Sequence, residues 1–194
     1  MKKLNLLFVA AAAAGLLQAC SGNKTASNAD SSTTSKTDTT KVTTVQTDSA
    51  TVMADTTFAA KAAVGGMAEV ALGKMAAAMG ASSKVKDFGK MMVKDHGKAN
   101  AELMSIAKGK NMTLPAGLDA EHQAKSDSLS KLSGKDFDMA YVNAMLDGHK
   151  KTLALMQSEA ANGKDADLKA FAAKTAPVVQ MHLTEITKIH DSMK

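Results

Sequence analysis

The stretch "VKDFGKMMVKDHGKANAEL", residues 85–103, sets apolar or small residues at Val85, Phe88, Met92, Ala99 and Leu103. Steps of three and four residues are the period of an α-helix that buries one face. His96 stands in the middle of that same row, with Asp95 beside it. A buried imidazole without a partner is costly, so a helix of this kind needs polar groups from its neighbours at the same level.

The period recurs in three more segments. A first helix, capped at Asp55 or Thr56 and running to about Gly80, has the inward row Phe58, Ala62, Gly65, Glu69, Leu72, Ala76 and Met79. "GASS" then ends it and supplies a serine cap for the second helix, Ser83 to about Lys108. A third, capped at Asp136 and reaching about Ala161, carries Phe137, Tyr141, Met145, His149, Leu153, Met156 and Ala160. The last starts at Asp165 and carries Leu168, Phe171, Thr175, Val178, His182, Ile186 and Ile189, with Pro177 predicting a kink or local break before His182.

Short turns make the first two helices one antiparallel hairpin and the last two another. Between them "GKNMTLPAG" breaks the pattern, and Asp119 caps a short polar helix reaching about Leu132. That connection is long enough to cross the whole molecule. Four helices of about 26 residues are roughly 39 Å long, so the expected fold is all-α, a four-helix bundle with an extra short helix between the second and third long ones.

The N-terminus is not part of it. Lys2 and Lys3, the apolar run "LNLLFVAAAAAGL" and small residues before Cys20 read as a secretory leader over residues 1–19. Leu17-Gln18-Ala19-Cys20 resembles the lipobox of bacterial lipoproteins, where the cysteine becomes the lipidated N-terminus; Cys20 is the sole cysteine of the chain. Acyl chains contribute about 0.8 kcal/mol per buried CH₂, enough to hold a protein at a bilayer without a spanning helix. Ser21 follows, and no aspartate stands there to retain the protein at the inner membrane, so an outer-membrane anchor facing the periplasm is expected. Residues 20–53, rich in Ser and Thr, read as a disordered tether, and 54–194 as the folded domain.

Composition narrows the function classes. Loss of Lys2 and Lys3 with the leader lowers the formal charge from +5 to +3, and the chain has no arginine and only 3% aromatic residues. Nucleic acid is therefore not an expected partner. Without a mature free thiol or a serine at a strand-to-helix elbow, nucleophilic catalysis is disfavoured as well.

Counting from each hairpin turn, Glu69 and His96 differ by about 5 Å in height, and His149 and His182 by about 7 Å. All four therefore fall in one central layer. Three imidazoles and a carboxylate form a first shell suited to a transition metal, with Asp95, Asp147 or Glu185 as further oxygens or as partners for ring N–H groups. Met92 and Met145 each precede a histidine by four residues. Thioether with imidazole suits copper; carboxylate with imidazole suits iron, manganese or zinc. The competing reading is a metal-free histidine–carboxylate network with methionines filling core gaps.

"FAAKAAVGGMAEVALGKMA", "VKDFGKMMVKDHGKANAEL", "FDMAYVNAMLDGHKKTLALMQ" and "LKAFAAKTAPVVQMHL", in that order, resemble the bacterial envelope family catalogued as domain of unknown function 4142, often labelled an outer-membrane protein. The resemblance covers about residues 57–188. It implies a ferritin-like four-helix bundle, with the family's marked positions at Glu69, Asp95, His96, His149 and His182. It implies no activity. Di-iron ferritin-like proteins use Glu-x-x-His motifs; none occurs here, and "HLTE" is the reverse order, so ferroxidase chemistry does not transfer. The expected role is metal storage, buffering or envelope stress protection rather than turnover. A metal-free interaction module and a mononuclear metalloenzyme are the rivals.

Overall fold

The computed structural model describes residues 49–194, with side chains from Met53 onward. Helices α1 (Ser49–Met79), α2 (Ser83–Gly109), α3 (Ala120–Leu129), α4 (Gly134–Asn162) and α5 (Ala166–Asp191) account for the secondary structure, and no strand occurs among the described residues. The leader, Cys20 and the tether up to residue 48 lie outside the described residues. Helix α1 begins at Ser49 and so takes in the last five residues of the expected tether.

Four long helices pack around a shared core. Helix α1 lies against α2 and α4, and α5 against α4 and α2, while α3 rests on α1 and α4. Two buried aspartates reveal the directions. Asp138, near the start of α4, accepts hydrogen bonds from the backbone N–H groups of Ala81 and Ser82 at 2.9 and 2.7 Å, in the turn between α1 and α2. Asp55, near the start of α1, accepts from Lys164 and Asp165 at 3.2 and 2.8 Å, in the turn between α4 and α5. Each hairpin thus finishes the other's turn. The start of α4 meets the end of α1, so α2 and α4 run the same way and the segment carrying α3 crosses the full height.

These contacts correct the expected caps. Asp55 is buried and serves the opposite hairpin rather than capping α1. Ser82 precedes α2 without a side-chain cap bond, and Asp138 binds the turn's own N–H groups, of Ala81 and Ser82, from across the fold. Helix α4 starts two residues before Asp136, at Gly134, whose φ of +58° is the left-handed conformation that glycine adopts freely. Asp119 and Asp165 do cap α3 and α5, accepting from His122 N–H and from Asp167 and Leu168 N–H. Helix α5 continues through Pro177 without interruption.

Two apolar clusters fill the interior. One gathers Leu72, Val85, Phe88, Met92, Phe137, Tyr141, Met145 and Ile186 around the α1–α2 turn. The other gathers Phe58, Ala62, Leu103, Met156, Leu168 and Phe171 toward the opposite end. Two expected core residues are instead exposed, Met79 and Val178; Val179 takes the inward place in α5. Helices α1 and α2 approach closely at Gly73 and Gly89, where a Cβ on either would meet the other's carbonyl oxygen at 2.7 or 2.6 Å. Only glycine admits that approach, which draws Glu69 and His96 toward one another. Residues 53–79 of α1 are long and apolar enough to span a membrane, but half of the most apolar window is buried inside the fold.

Candidate metal centre

Between the two apolar clusters lies a polar layer. Glu69 from α1, His96 from α2, His149 from α4 and His182 from α5 meet there, all buried. The histidine rings form a triangle with centroids 5.1, 5.4 and 5.5 Å apart. One ring nitrogen from each of the three lies within 4.8 Å of the other two. Phe88 covers the layer from the first cluster, edge-to-face with His149 at 5.9 Å and His182 at 6.4 Å.

Each ring is held through one nitrogen only. His96 Nδ1 lies 2.8 Å from Glu69 Oε2, a close but poorly aligned contact that leaves Oε2 without a directed hydrogen bond. His149 Nδ1 sits 2.9 Å from the carbonyl oxygen of Met145, one turn earlier, and 3.7 Å from Glu69 Oε1. His182 Nε2 sits 3.0 Å from Asp95 Oδ2. The opposite nitrogens, His96 Nε2, His149 Nε2 and His182 Nδ1, are buried without any partner. A ring N–H donated to a carbonyl or carboxylate fixes the tautomer and leaves a lone pair on the second nitrogen.

Electrostatics favour neutral rings at His149 and His182 beside the charged Glu69. Burial lowers the pKa of His182 to about 4, against the opposing pull of Asp95, and neighbouring His96 and His149 add to the lowering. Burial also lowers that of His149, although Glu69 draws it upward. Glu69 itself suffers from burial, yet the imidazoles of His96 and His149 and the hydroxyl of Thr152, 3.3 Å from Oε1, outweigh it and keep the carboxyl below its usual range. Tyr141, whose hydroxyl is buried and unpartnered, is pushed upward by burial and by Glu69.

Asp95 steers His182 of α5 across the fold, not the adjacent His96 as its position in the chain suggested. Asp147 is exposed on α4 and takes no part. Glu185 faces outward and pairs with Lys188 at 3.4 Å. Met92 and Met145 are buried in the first apolar cluster, and what Met145 gives the layer is its backbone carbonyl. His122 pairs with Asp119 on α3, and His190 with Asp191 near the C-terminus, both away from the layer. Sequence reasoning missed Asp138, Thr152 as a partner of Glu69, and Glu159, a buried carboxyl at the α4–α5 turn. Thr152 and Asp138 each occupy a position one residue off the apolar row of α4, the one signal available.

A cavity of about 440 Å³ opens between α1, α3 and α4 and has Glu69 and Thr152 in its wall. Gly65 and Gly148 also line it, and a Cβ at either would meet nothing within 4 Å.

A family model described as Domain of unknown function (DUF4142) matches residues 40–189. No curated protein and no solved structure matches the chain.

Proposed function

We propose, for this chain, which belongs to the DUF4142 family of domains of unknown function, that it binds a divalent transition metal through His96, His149 and His182 at the centre of a ferritin-like four-helix bundle. One observation carries the reading. Three buried ring nitrogens, one on each of three helices, have no partner, while the second nitrogen of each ring is held by a carboxylate or a carbonyl. In a finished metal-free network those lone pairs would be hydrogen-bonded, because an unmet buried polar atom costs about 1–3 kcal/mol. Three neutral imidazoles are the donor set of zinc, copper and iron sites, and carboxylates behind them are the usual orienting partners.

The fit requires a small adjustment. Metal–nitrogen bonds of about 2.0–2.1 Å at tetrahedral angles set nitrogens about 3.4 Å apart, whereas one nitrogen from each ring lies within 4.8 Å of the other two. Each ring must therefore move inward by about 1 Å, within reach of a χ rotation. Glu69, with Oε2 unmatched, is placed to complete the shell or to hold His96.

The bundle assignment rests on the order of the helices, with one long crossover and α2 and α4 running the same way, the connectivity of ferritin-like bundles. Lipidation at Cys20 would station the domain at the cell envelope. Holding a metal for storage, buffering or protection suits a centre buried among apolar side chains better than turnover does. The test is metal content by mass spectrometry on protein purified without chelators or tag histidines, beside His96→Ala/His149→Ala/His182→Ala. One metal per chain in the first and none in the second is expected. Trace metal only in the parent protein, after exposure to iron, copper, zinc and manganese, would overturn the reading in favour of a metal-free core.

A further inference from the structure

The cavity beneath α3 is the wide approach to the polar layer. Its wall includes Glu69 and Thr152, and around it stand Lys61, Lys125 and Lys151 against one acid, Glu121. Glu69 is the charged residue common to the cavity and the centre, touching His96 at 2.8 Å and His149 at 3.7 Å. A second gap, lined from α1, α2, α4 and α5, reaches both Glu69 and His96 but encloses only about 20 Å³, room for one water.

The charge arrangement is wrong for a bare cation. Three ammonium groups against the one carboxylate of Glu121 leave the mouth net positive and repel a divalent ion, while Glu69, which would bind it, lies buried within. It suits a species negative outside and metallic inside. We propose that metal reaches this centre as an anionic complex with a small polycarboxylate, the lysines holding the carboxylates while Glu69 takes the metal. This rests on the metal reading above and names the form in which the cargo arrives. The step is a ligand exchange. A metal–oxygen bond to Glu69 forms as one to the incoming carboxylate breaks, no electrons change hands, and the displaced carboxylate leaves as an anion past the lysines. A cavity of about 440 Å³ is within the range that encloses small organic ligands.

The full chain, stripped of metal, would be loaded with cobalt(II), whose visible absorption reports imidazole coordination. Loading rates from the aquo ion and from a one-to-one cobalt–citrate complex would be compared for the parent protein and Lys61→Gln/Lys125→Gln/Lys151→Gln. These side chains are exposed or partly exposed, so folding is unaffected, and circular dichroism checks it. The variant should load from citrate about tenfold more slowly, from the aquo ion as fast or faster, and reach the same final occupancy. Rates that shift equally for both sources, or not at all, would overturn the proposal while leaving the centre intact. No cobalt absorption from either source would overturn both readings.

Discussion

In the absence of metal, lowering the pH should destabilise this protein through its own histidines. His182 has a pKa of about 4 in the fold, against about 6.5 in an unfolded chain. Between those values the unfolded state binds a proton that the native state refuses, so stability is lost as pH falls. Each proton contributes about 1.36 kcal/mol per pH unit, which makes the loss roughly 2 kcal/mol from pH 7 to 5 and roughly 3 by pH 4. His149, also lowered by burial, acts in the same direction. With a urea m-value of about 2 kcal/mol/M, the midpoint should fall by about 1 M between pH 7 and 5 on account of His182 alone. Urea unfolding in EDTA, followed by circular dichroism, reads this directly. Other groups titrate in the same window, so the diagnostic quantity is the difference from His182→Gln, whose amide can still meet Asp95 but takes up no proton. The parent midpoint should drop about 1 M further than the variant's. Midpoints that move in parallel to within about 0.3 M would refute the assignment of a buried, neutral imidazole.

The remaining expectations concern the frame around the centre. Glu159, raised to about 7 by burial and then by Asp55 and Asp165, holds a proton in the fold that the unfolded chain releases near 4.5. Its contribution has the opposite sign, falling as pH rises from 4.5 through 7, and Glu159→Gln should be more stable than the parent by roughly 2 kcal/mol at pH 8 and equal to it near pH 4. Asp138→Ala removes an acceptor from two backbone N–H groups and should cost about 2 kcal/mol in denaturant unfolding; Asp55→Ala should cost about as much, and the double variant the sum. Gly89→Ala, which drives a Cβ onto the carbonyl of Gly73, should destabilise by about 2 kcal/mol despite alanine's better helix propensity. Gly97→Ala, with open space around it, should stabilise by about 0.5–1 kcal/mol, and thermal melts of the two would distinguish a close backbone approach from a generic glycine effect.

Periodicity made the four long helices legible, and with them the level at which Glu69, His96, His149 and His182 meet, because helical rise converts chain position into height. What it did not carry is the pairing across helices. Asp95 and His182 stand 87 residues apart, and nothing in either local pattern says that a carboxylate next to one histidine serves another. Caps failed for the same reason. Asp55 and Asp136 sit where local capping expects an acid, but Asp55 is spent on a turn 109 residues away, and Asp138 is the residue that closes the α1–α2 turn. The start of α1 was hidden because Ser49 to Met53 follows a Ser- and Thr-rich run and reads as its continuation. Val178 and Val179 are chemically alike and adjacent, so only packing decides which is buried.

The exchange of aspartates between the two hairpins bears on how the protein comes into being. Neither turn can be completed by the hairpin that contains it, since its acceptor arrives from the other half of the chain. Packing of one half on the other is therefore what completes both turns. Glu69 and His96 come from the first half, His149 and His182 from the second. Each half thus carries only part of the layer, the Glu69–His96 pair in one and His149 with His182 in the other, and the three imidazoles meet only where the two hairpins pack together.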